Sequence, residues 1–356
     1  MAIRVAINGF GRIGRAFARL SHERDIEIVA INDLGSLENL AYLLKYDTVY
    51  GKAPFAVSSR QEADGSKMLL IGGEGVKFFS EKDPMNLPWK DLNIDVVIES
   101  TGFFTEYEKA QAHISAGAKR VIITAPAKGD ESIGATVLMG VNEEKLATCL
   151  ISSNASCTTN AASPIIAILD ETIGIDKAVL STTHAYTASQ SIVDGPSKKG
   201  TPSGVPMRDM REGRAAAMNI VPTSTGAATA VAQAYESLRG KFDGVSLRVP
   251  VSAGSIADIT FIAKRATTKE EVNELLRNAA HDPRWAGIFA TTDEELVSSD
   301  IVGEPCASIA DLSMTRVVDG NLVKVLTWYD NEMGYTESLV RHVIASAQAD
   351  SINGQV

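Results

Sequence analysis

The segment Gly9-Phe10-Gly11-Arg12-Ile13-Gly14 follows the apolar run Val5-Ala6-Ile7 and opens the helical stripe Ile13, Ala16, Phe17 and Leu20. A strand, then G-x-G-x-x-G, then a helix leaves a chain few folds. The glycines permit a tight turn and let N–H groups at the helix start approach a pyrophosphate. Taken alone, the pattern is also that of a structural glycine turn. Its context decides, because the next apolar run, Ile26 to Ile31, leads to Asp33. A carboxylate there is placed to accept hydrogen bonds from an adenosine ribose. It would also repel a 2′-phosphate, which favours NAD over NADP, although Leu34-Gly35-Ser36 beyond it is permissive.

Further short apolar runs at Val96-Val97-Ile98, Val121-Ile122-Ile123 and Thr136 to Met139 suit strands buried on both faces. The expected fold class is α/β, a Rossmann-type doubly wound parallel sheet. From about residue 178 the pattern changes to alternating strands: Val179 to Thr183, Val245 to Val249 and Ile256 to Ala263. Val317 to Val323 reads as a hairpin around Asp319-Gly320, and Gly195 to Pro206 as a loop. Tyr335, Leu339, Val343 and Ala347 mark a terminal helix. Two domains are expected: 1–156, completed by the helix 331–356, and 157–330, an α+β catalytic domain with a mainly antiparallel sheet.

With 356 residues, 45% of them apolar, each domain can bury a core. A formal charge of −10 argues against a dedicated nucleic-acid site. The first strand begins at Arg4, so no signal peptide is expected, and no apolar run is long enough to span a membrane. The three cysteines, Cys149, Cys157 and Cys306, form neither a disulfide framework nor a metal knuckle. A reduced, cytoplasmic setting and no metal follow as expectations.

Ser153-Asn154-Ala155-Ser156-Cys157-Thr158-Thr159-Asn160 is polar and runs into Ile165, Ile166, Ile168 and Leu169 at helical spacing. Cys157 is therefore expected at a helix N-terminus, where partial positive charge lowers a thiol pKa. A single cysteine is more often a small buried apolar residue. That reading suits Cys149, in the expected core strand Thr148-Cys149-Leu150-Ile151, while Cys306 has no motif around it. Of five histidines, His22, His113 and His342 fall in helical stretches and His281 in a polar loop. His184 ends a second-domain strand, in Thr182-Thr183-His184-Ala185-Tyr186-Thr187. A histidine beside Cys157 would take the proton that a hydride transfer releases. Spacing leaves open whether the two meet.

Together with Asn219 to Ala228 and Trp328 to Tyr335, these blocks resemble phosphorylating glyceraldehyde-3-phosphate dehydrogenases almost from end to end. The resemblance implies that Cys157 is the nucleophile and His184 its acid–base partner. It implies NAD as cofactor, contacted by Asn8, Gly9, Phe10, Gly11, Arg12, Ile13, Gly14, Asp33, Lys82, Thr101, Gly102 and Thr124. Asn331 would orient the nicotinamide carboxamide, with Tyr335 beside it. Thr187, Arg248 and a loop arginine would hold the phosphate of glyceraldehyde 3-phosphate. Ser156, Thr158, Thr225, Gly226 and Arg248 would hold the attacking inorganic phosphate. Hydroxyls, a glycine N–H and a guanidinium fork suit phosphate oxygens.

For the loop arginine, Arg211 matches one branch of the family best, with Arg208 and Arg214 as alternatives. Asp194-Gly195-Pro196 resembles the NAD-using branch. The family assembles as homotetramers in which this loop approaches a neighbour's cofactor pocket. This chain departs at Ala161, where a second cysteine is usual, and in a longer segment from Gly195 to Arg214. Erythrose-4-phosphate dehydrogenases share the cysteine and histidine. They usually lack the counterparts of Tyr186-Thr187 and Thr225-Gly226-Ala227-Ala228, which are present here. A nucleotide-binding scaffold without turnover would not need Cys157, His184, Asn331 and Arg248 together.

Overall fold

A computed structural model describes residues 2–22, 24–196 and 210–353; Arg208 and most of the Gly195–Pro206 loop lie outside the described residues. The chain divides into two units, Met1–Ser156 with Thr336–Val356, and Cys157–Tyr335.

In the first unit nine strands form one sheet. Its order is Gly134–Thr136, Ile151–Ser153, Arg120–Ile123, Val96–Glu99, Ile3–Asn8, Ile26–Asn32, Glu74–Phe79, Lys67–Ile71 and Val57–Gln61. Pairing is parallel as far as Glu74–Phe79 and antiparallel beyond it. The parallel strands are short and apolar because both faces are covered. Helices Arg12–Ser21 and Leu37–Lys45 and the terminal helix Met333–Asn353 cover one face, through Phe17, Leu44, Leu339 and Val343. Helix Tyr107–Ser115 covers the other, with Trp89 and Ala110.

The antiparallel edge was not anticipated, although a signal for it stands in the chain. Gly72 and Gly73, both at positive φ, form the two-residue turn between its last two strands. Two expected strands are shortened. Thr136 to Met139 keeps only Thr136 in a strand, since the Asn142 side chain accepts the Leu138 N–H at 2.8 Å. Cys149 is half-buried and precedes its strand, because Arg120 draws its carbonyl aside at 2.8 Å and Leu150 faces solvent.

The second unit holds a seven-stranded sheet in the order Val221–Ser224, Phe242–Val249, Ile175–Ala185, Ser255–Ala263, Leu322–Tyr329, Ser308–Val318 and Phe289–Thr292. Four of its pairings are antiparallel and two parallel. Helix Cys157–Thr172 packs on this sheet and against helices Ala227–Ala234 and Lys269–Ala280. It is buried from Thr158 to Leu169.

His342, fully buried on the terminal helix, shows how tightly the first unit holds that segment. Its Nε2 is 2.8 Å from the Ser152 hydroxyl and its Nδ1 is 3.0 Å from Asn154 Oδ1. Asn154 Oδ1 only accepts, so Nδ1 carries the proton and Nε2 accepts from Ser152. Burial, aided by the Arg120 charge, holds His342 down at about 3, against an ordinary 6.5. Between those values the unfolded chain binds a proton that the folded chain refuses, so stability falls as pH drops through this window. The expected slope from His342 is up to roughly 1.4 kcal/mol per pH unit. Urea unfolding at pH 7, 5.5 and 4.5 should show a shallower acid loss in His342→Gln than in the native chain. An identical slope would mean that His342 titrates normally in the folded state.

Candidate active site

Two sets of side chains carry the chemistry, one in each unit. In the first unit a cavity of about 460 Å³ opens at the carboxyl ends of the parallel strands, where α/β sheets bind their ligands. Asn8, Gly9, Gly11, Asp33, Lys82 and Thr101 line it, joined by Asn32, Leu34, Glu81, Ser100, Phe103 and Phe104.

The three glycines have different reasons. Gly9 has φ of 95°, and a Cβ there would stand 2.6 Å from the Thr101 nitrogen. A Cβ on Gly14 would stand 2.4 Å from the Gly9 carbonyl oxygen. One on Gly11 would meet nothing within 4 Å. Gly11 thus leaves open space at the start of helix Arg12–Ser21, on the cavity wall, as a phosphate cradle requires. Asp33 holds this turn: its carboxylate accepts from Phe10 N and from Gly35 N, both at 2.7 Å.

Other expected cofactor residues are committed elsewhere. Phe10 is fully buried in the core, so it faces a ligand only through backbone, and Ile13 packs half-buried against that core. Arg12 pairs with Asp47 at 2.6 Å. The Asn8 side chain is spent inside the protein, donating to Glu99 at 2.6 Å and accepting from Asn32 at 2.7 Å. Thr124 donates to the Glu99 carbonyl at 3.1 Å, and Gly102, at φ 76°, continues the loop after Thr101.

Sequence reasoning missed Glu99, which organises this floor. Its buried carboxylate also accepts from Thr101 N at 2.9 Å and faces His113 Nε2 at 3.0 Å. The signal was present, since Glu99 ends the strand Val96–Glu99 much as Asp33 follows the strand before it.

In the second unit Cys157 is the first residue of its helix, and Ala155, two residues earlier, sits at φ 52°. Cys157 Sγ lies 3.3 Å from His184 Nε2. The two residues whose meeting spacing left open do meet. His184 is placed by sheet register: strand Ile175–Ala185 runs parallel to Phe242–Val249, with His184 opposite Arg248. Arg248 Nη1 is 2.7 Å from His184 Nδ1, and the Ala185 carbonyl oxygen is also 2.7 Å from that nitrogen. Tyr329, absent from the sequence expectations, closes the site. Its hydroxyl bonds those of Thr158 and Thr182 at 2.9 and 2.8 Å, and its ring stands edge-on to the imidazole.

The expected thiolate is not what this environment favours. Burial pushes the Cys157 thiol up, and the Arg248 charge and the Thr158 hydrogen bonds only partly offset this. Burial and the Arg248 charge bring His184 down to about 3.

The phosphate candidates are only partly assembled. Thr158 is buried on Tyr329, while Ser156 is half-exposed. Thr187 bonds Ser189 at 3.1 Å. Register sets Val221, not Thr225, opposite Arg248; Thr225 and Gly226 lie past that strand, at the start of helix Ala227–Ala234. Arg211 donates to the Pro222 carbonyl at 3.3 Å, beside the strand that carries Arg248. Arg214 instead pairs with Asp194 at 2.8 Å. Asn331 Oδ1 accepts from Ser255 at 3.0 Å, and Tyr335 is buried in the first turn of the terminal helix. Among the described residues no cluster of His, Cys, Asp or Glu could hold a metal.

The glycine geometry separates two substitutions. Gly14→Ala drives a methyl into backbone and should cost about 1–3 kcal/mol. Gly11→Ala should stay within about 1 kcal/mol of native stability yet weaken NAD binding about tenfold or more. Thermal melts with NAD titrations check both, and unchanged NAD affinity in Gly11→Ala would place the pyrophosphate elsewhere.

Comparison with known proteins agrees with both halves. Residues 3–107 match the glyceraldehyde 3-phosphate dehydrogenase NAD binding domain, and residues 156–331 match the C-terminal domain of the same family. The chain is 47% identical over 344 residues to the glyceraldehyde-3-phosphate dehydrogenase of Streptomyces coelicolor, covering 96% of this chain and 97% of that one. It is 45% identical to that of Clostridium pasteurianum (95% and 96% covered) and 46% identical to that of Mycobacterium avium (96% and 97%). The chain belongs to the glyceraldehyde-3-phosphate dehydrogenase family, with NAD as its cofactor.

Proposed function

We propose that this chain oxidises glyceraldehyde 3-phosphate with NAD and inorganic phosphate, giving 1,3-bisphosphoglycerate, with Cys157 as nucleophile and His184 as acid–base partner. The observation that carries this reading is the 3.3 Å approach of Cys157 Sγ to His184 Nε2, with Arg248 on the far edge of the imidazole. Bound NAD supplies the hydride acceptor. Asp33 and the Gly9–Gly14 turn would hold its adenosine and pyrophosphate, and Asn331 its carboxamide. Cys157 sulfur adds to the aldehyde carbon as its thiol proton passes by way of His184 Nε2 to the carbonyl oxygen, giving a thiohemiacetal. His184 Nε2 takes that hydroxyl proton back as hydride leaves, and a thioester remains. The Cys157 N–H and the His184 imidazole are the donors available to an oxyanion. Inorganic phosphate attacks the thioester carbon, the C–S bond breaks, and Cys157 leaves as thiolate.

Thr187, Arg248 and Arg211 are assigned to the substrate's own phosphate. Ser156, Thr158, Thr225, Gly226 and Arg248 are assigned to the attacking one. Exposed Val179, Val245, Val318 and Leu322 on strands of the second sheet support assembly with further copies of the chain, as a homotetramer. A cytoplasmic site of action accords with three cysteines that form no disulfide, and no helix among the described residues is long and apolar enough to cross a membrane.

The test is formation of reduced nicotinamide from glyceraldehyde 3-phosphate, with and without inorganic phosphate, and from erythrose 4-phosphate. Turnover should need phosphate, favour the three-carbon substrate, and vanish in Cys157→Ser with NAD binding intact. A preference for erythrose 4-phosphate, or full activity in Cys157→Ser, would sink the reading. Asp33→Ala should weaken NAD binding roughly tenfold or more, because it loses a ribose acceptor and two turn hydrogen bonds. It should also narrow the preference for NAD over NADP. Equal use of both cofactors by the native chain would show that Asp33 does not select.

A further inference from the structure

Asn331 is held from two directions. Its chain neighbour Asp330 is fully buried, and that carboxylate accepts from Glu332 N and Gly303 N at 2.8 Å and from Met333 N at 3.0 Å. The backbone around Asn331 is thereby fixed, and the freedom that remains lies in its side chain. An asparagine amide has two ends of nearly equal size, an oxygen that only accepts and a nitrogen that only donates. A half-turn about its last torsion exchanges them. Which end meets a ligand decides what the residue recognises.

The group that tells the two ends apart is the Ser255 hydroxyl, at the start of strand Ser255–Ala263 and only 1% exposed. It has a single proton to give. Ala185 N donates to its oxygen at 3.1 Å, so the proton is not spent there, and it goes to Asn331 Oδ1 at 3.0 Å. Turning the amide over would set NH2 against the Ser255 oxygen. It would also remove the one acceptor that this buried O–H has among the described residues. Asn331 makes no other side-chain hydrogen bond among the described residues, so Nδ2 is left to donate to a ligand.

Resting on the assignment of Asn331 to the nicotinamide carboxamide, we propose that Ser255 is a positioning residue for the cofactor. It keeps the Asn331 oxygen on itself and the nitrogen toward the ligand, so the site reads the carbonyl oxygen of the substituent on the pyridinium ring and ignores its NH2. The same hydroxyl is bonded to Ala185 N, at the end of the strand that carries His184. The cofactor's reactive end and the base therefore share one anchor.

The experiment measures dissociation constants on the full chain by calorimetry, without aldehyde. The ligands are NAD, acetylpyridine adenine dinucleotide, which keeps the carbonyl and lacks NH2, and aminopyridine adenine dinucleotide, which lacks the carbonyl. All three keep the pyridinium charge and the rest of the dinucleotide. In the native chain the acetylpyridine compound should bind within about threefold of NAD, and the aminopyridine compound about tenfold or more weaker. Ser255→Ala frees the amide to turn and should bring all three within about threefold of one another. Ser255→Thr keeps the hydroxyl and should restore the discrimination. An acetylpyridine compound bound about tenfold weaker than NAD by the native chain would mean that Asn331 presents its oxygen, and overturns the proposal. This native comparison decides the matter if neither Ser255 variant folds. Asn331→Ala separates the two layers of the argument. Discrimination that survives Asn331→Ala overturns the carboxamide assignment and the proposal with it. Discrimination lost in Asn331→Ala but intact in Ser255→Ala overturns the part given to Ser255 alone.

Discussion

Parallel pairing of Ile175–Ala185 with Phe242–Val249 is the constraint on which the second unit's chemistry depends. It sets His184 directly beside Arg248, residues far apart in the chain, at the ends of two neighbouring strands. The antiparallel partner on the other side, Ser255–Ala263, supplies Ser255, which bonds both Ala185 N and Asn331. One strand further, Leu322–Tyr329 brings Tyr329 beneath the imidazole and ties it to Thr158 at the start of the cysteine helix. Shifting any of these strands by one residue would turn its side chain to the opposite face. The site is therefore as well ordered as the sheet that carries it.

Removal of water is the common electrostatic theme there. It raises the thiol and lowers the imidazole, and the guanidinium of Arg248 stands beside that imidazole.

In the first unit the corresponding role falls to two carboxylates near the strand ends. Asp33 ties down the glycine turn, and Glu99 gathers Asn8, Thr101 and His113 beneath the cavity. Trp89 donates to His113 Nδ1 at 3.0 Å, which leaves Nε2 to donate to Glu99. Hydrogen bonds thus satisfy this buried carboxylate beneath the loop after Val96–Glu99. Only part of this was legible beforehand. Asp33 follows a glycine turn at a recognisable interval, whereas Glu99 has no partner within reach along the chain except Thr101.

Local chemistry by itself determined a good deal of this protein. Hydrophobic periodicity and glycine placement were enough for the doubly wound sheet, the dinucleotide turn, the Asp319-Gly320 hairpin and a cysteine at a helix start, since each depends on neighbours within a few residues. The antiparallel edge from Val57 to Phe79, the true limits of the strands near Thr136 and Cys149, and the Tyr329 hydroxyl network needed the folded chain. So did the contact of Cys157 with His184 and the register that sets Arg248 on the other side of that imidazole. That contact and that register arise from pairing between strands far apart in the chain and from the burial that goes with it. Neither leaves a periodic trace in a single stretch of sequence.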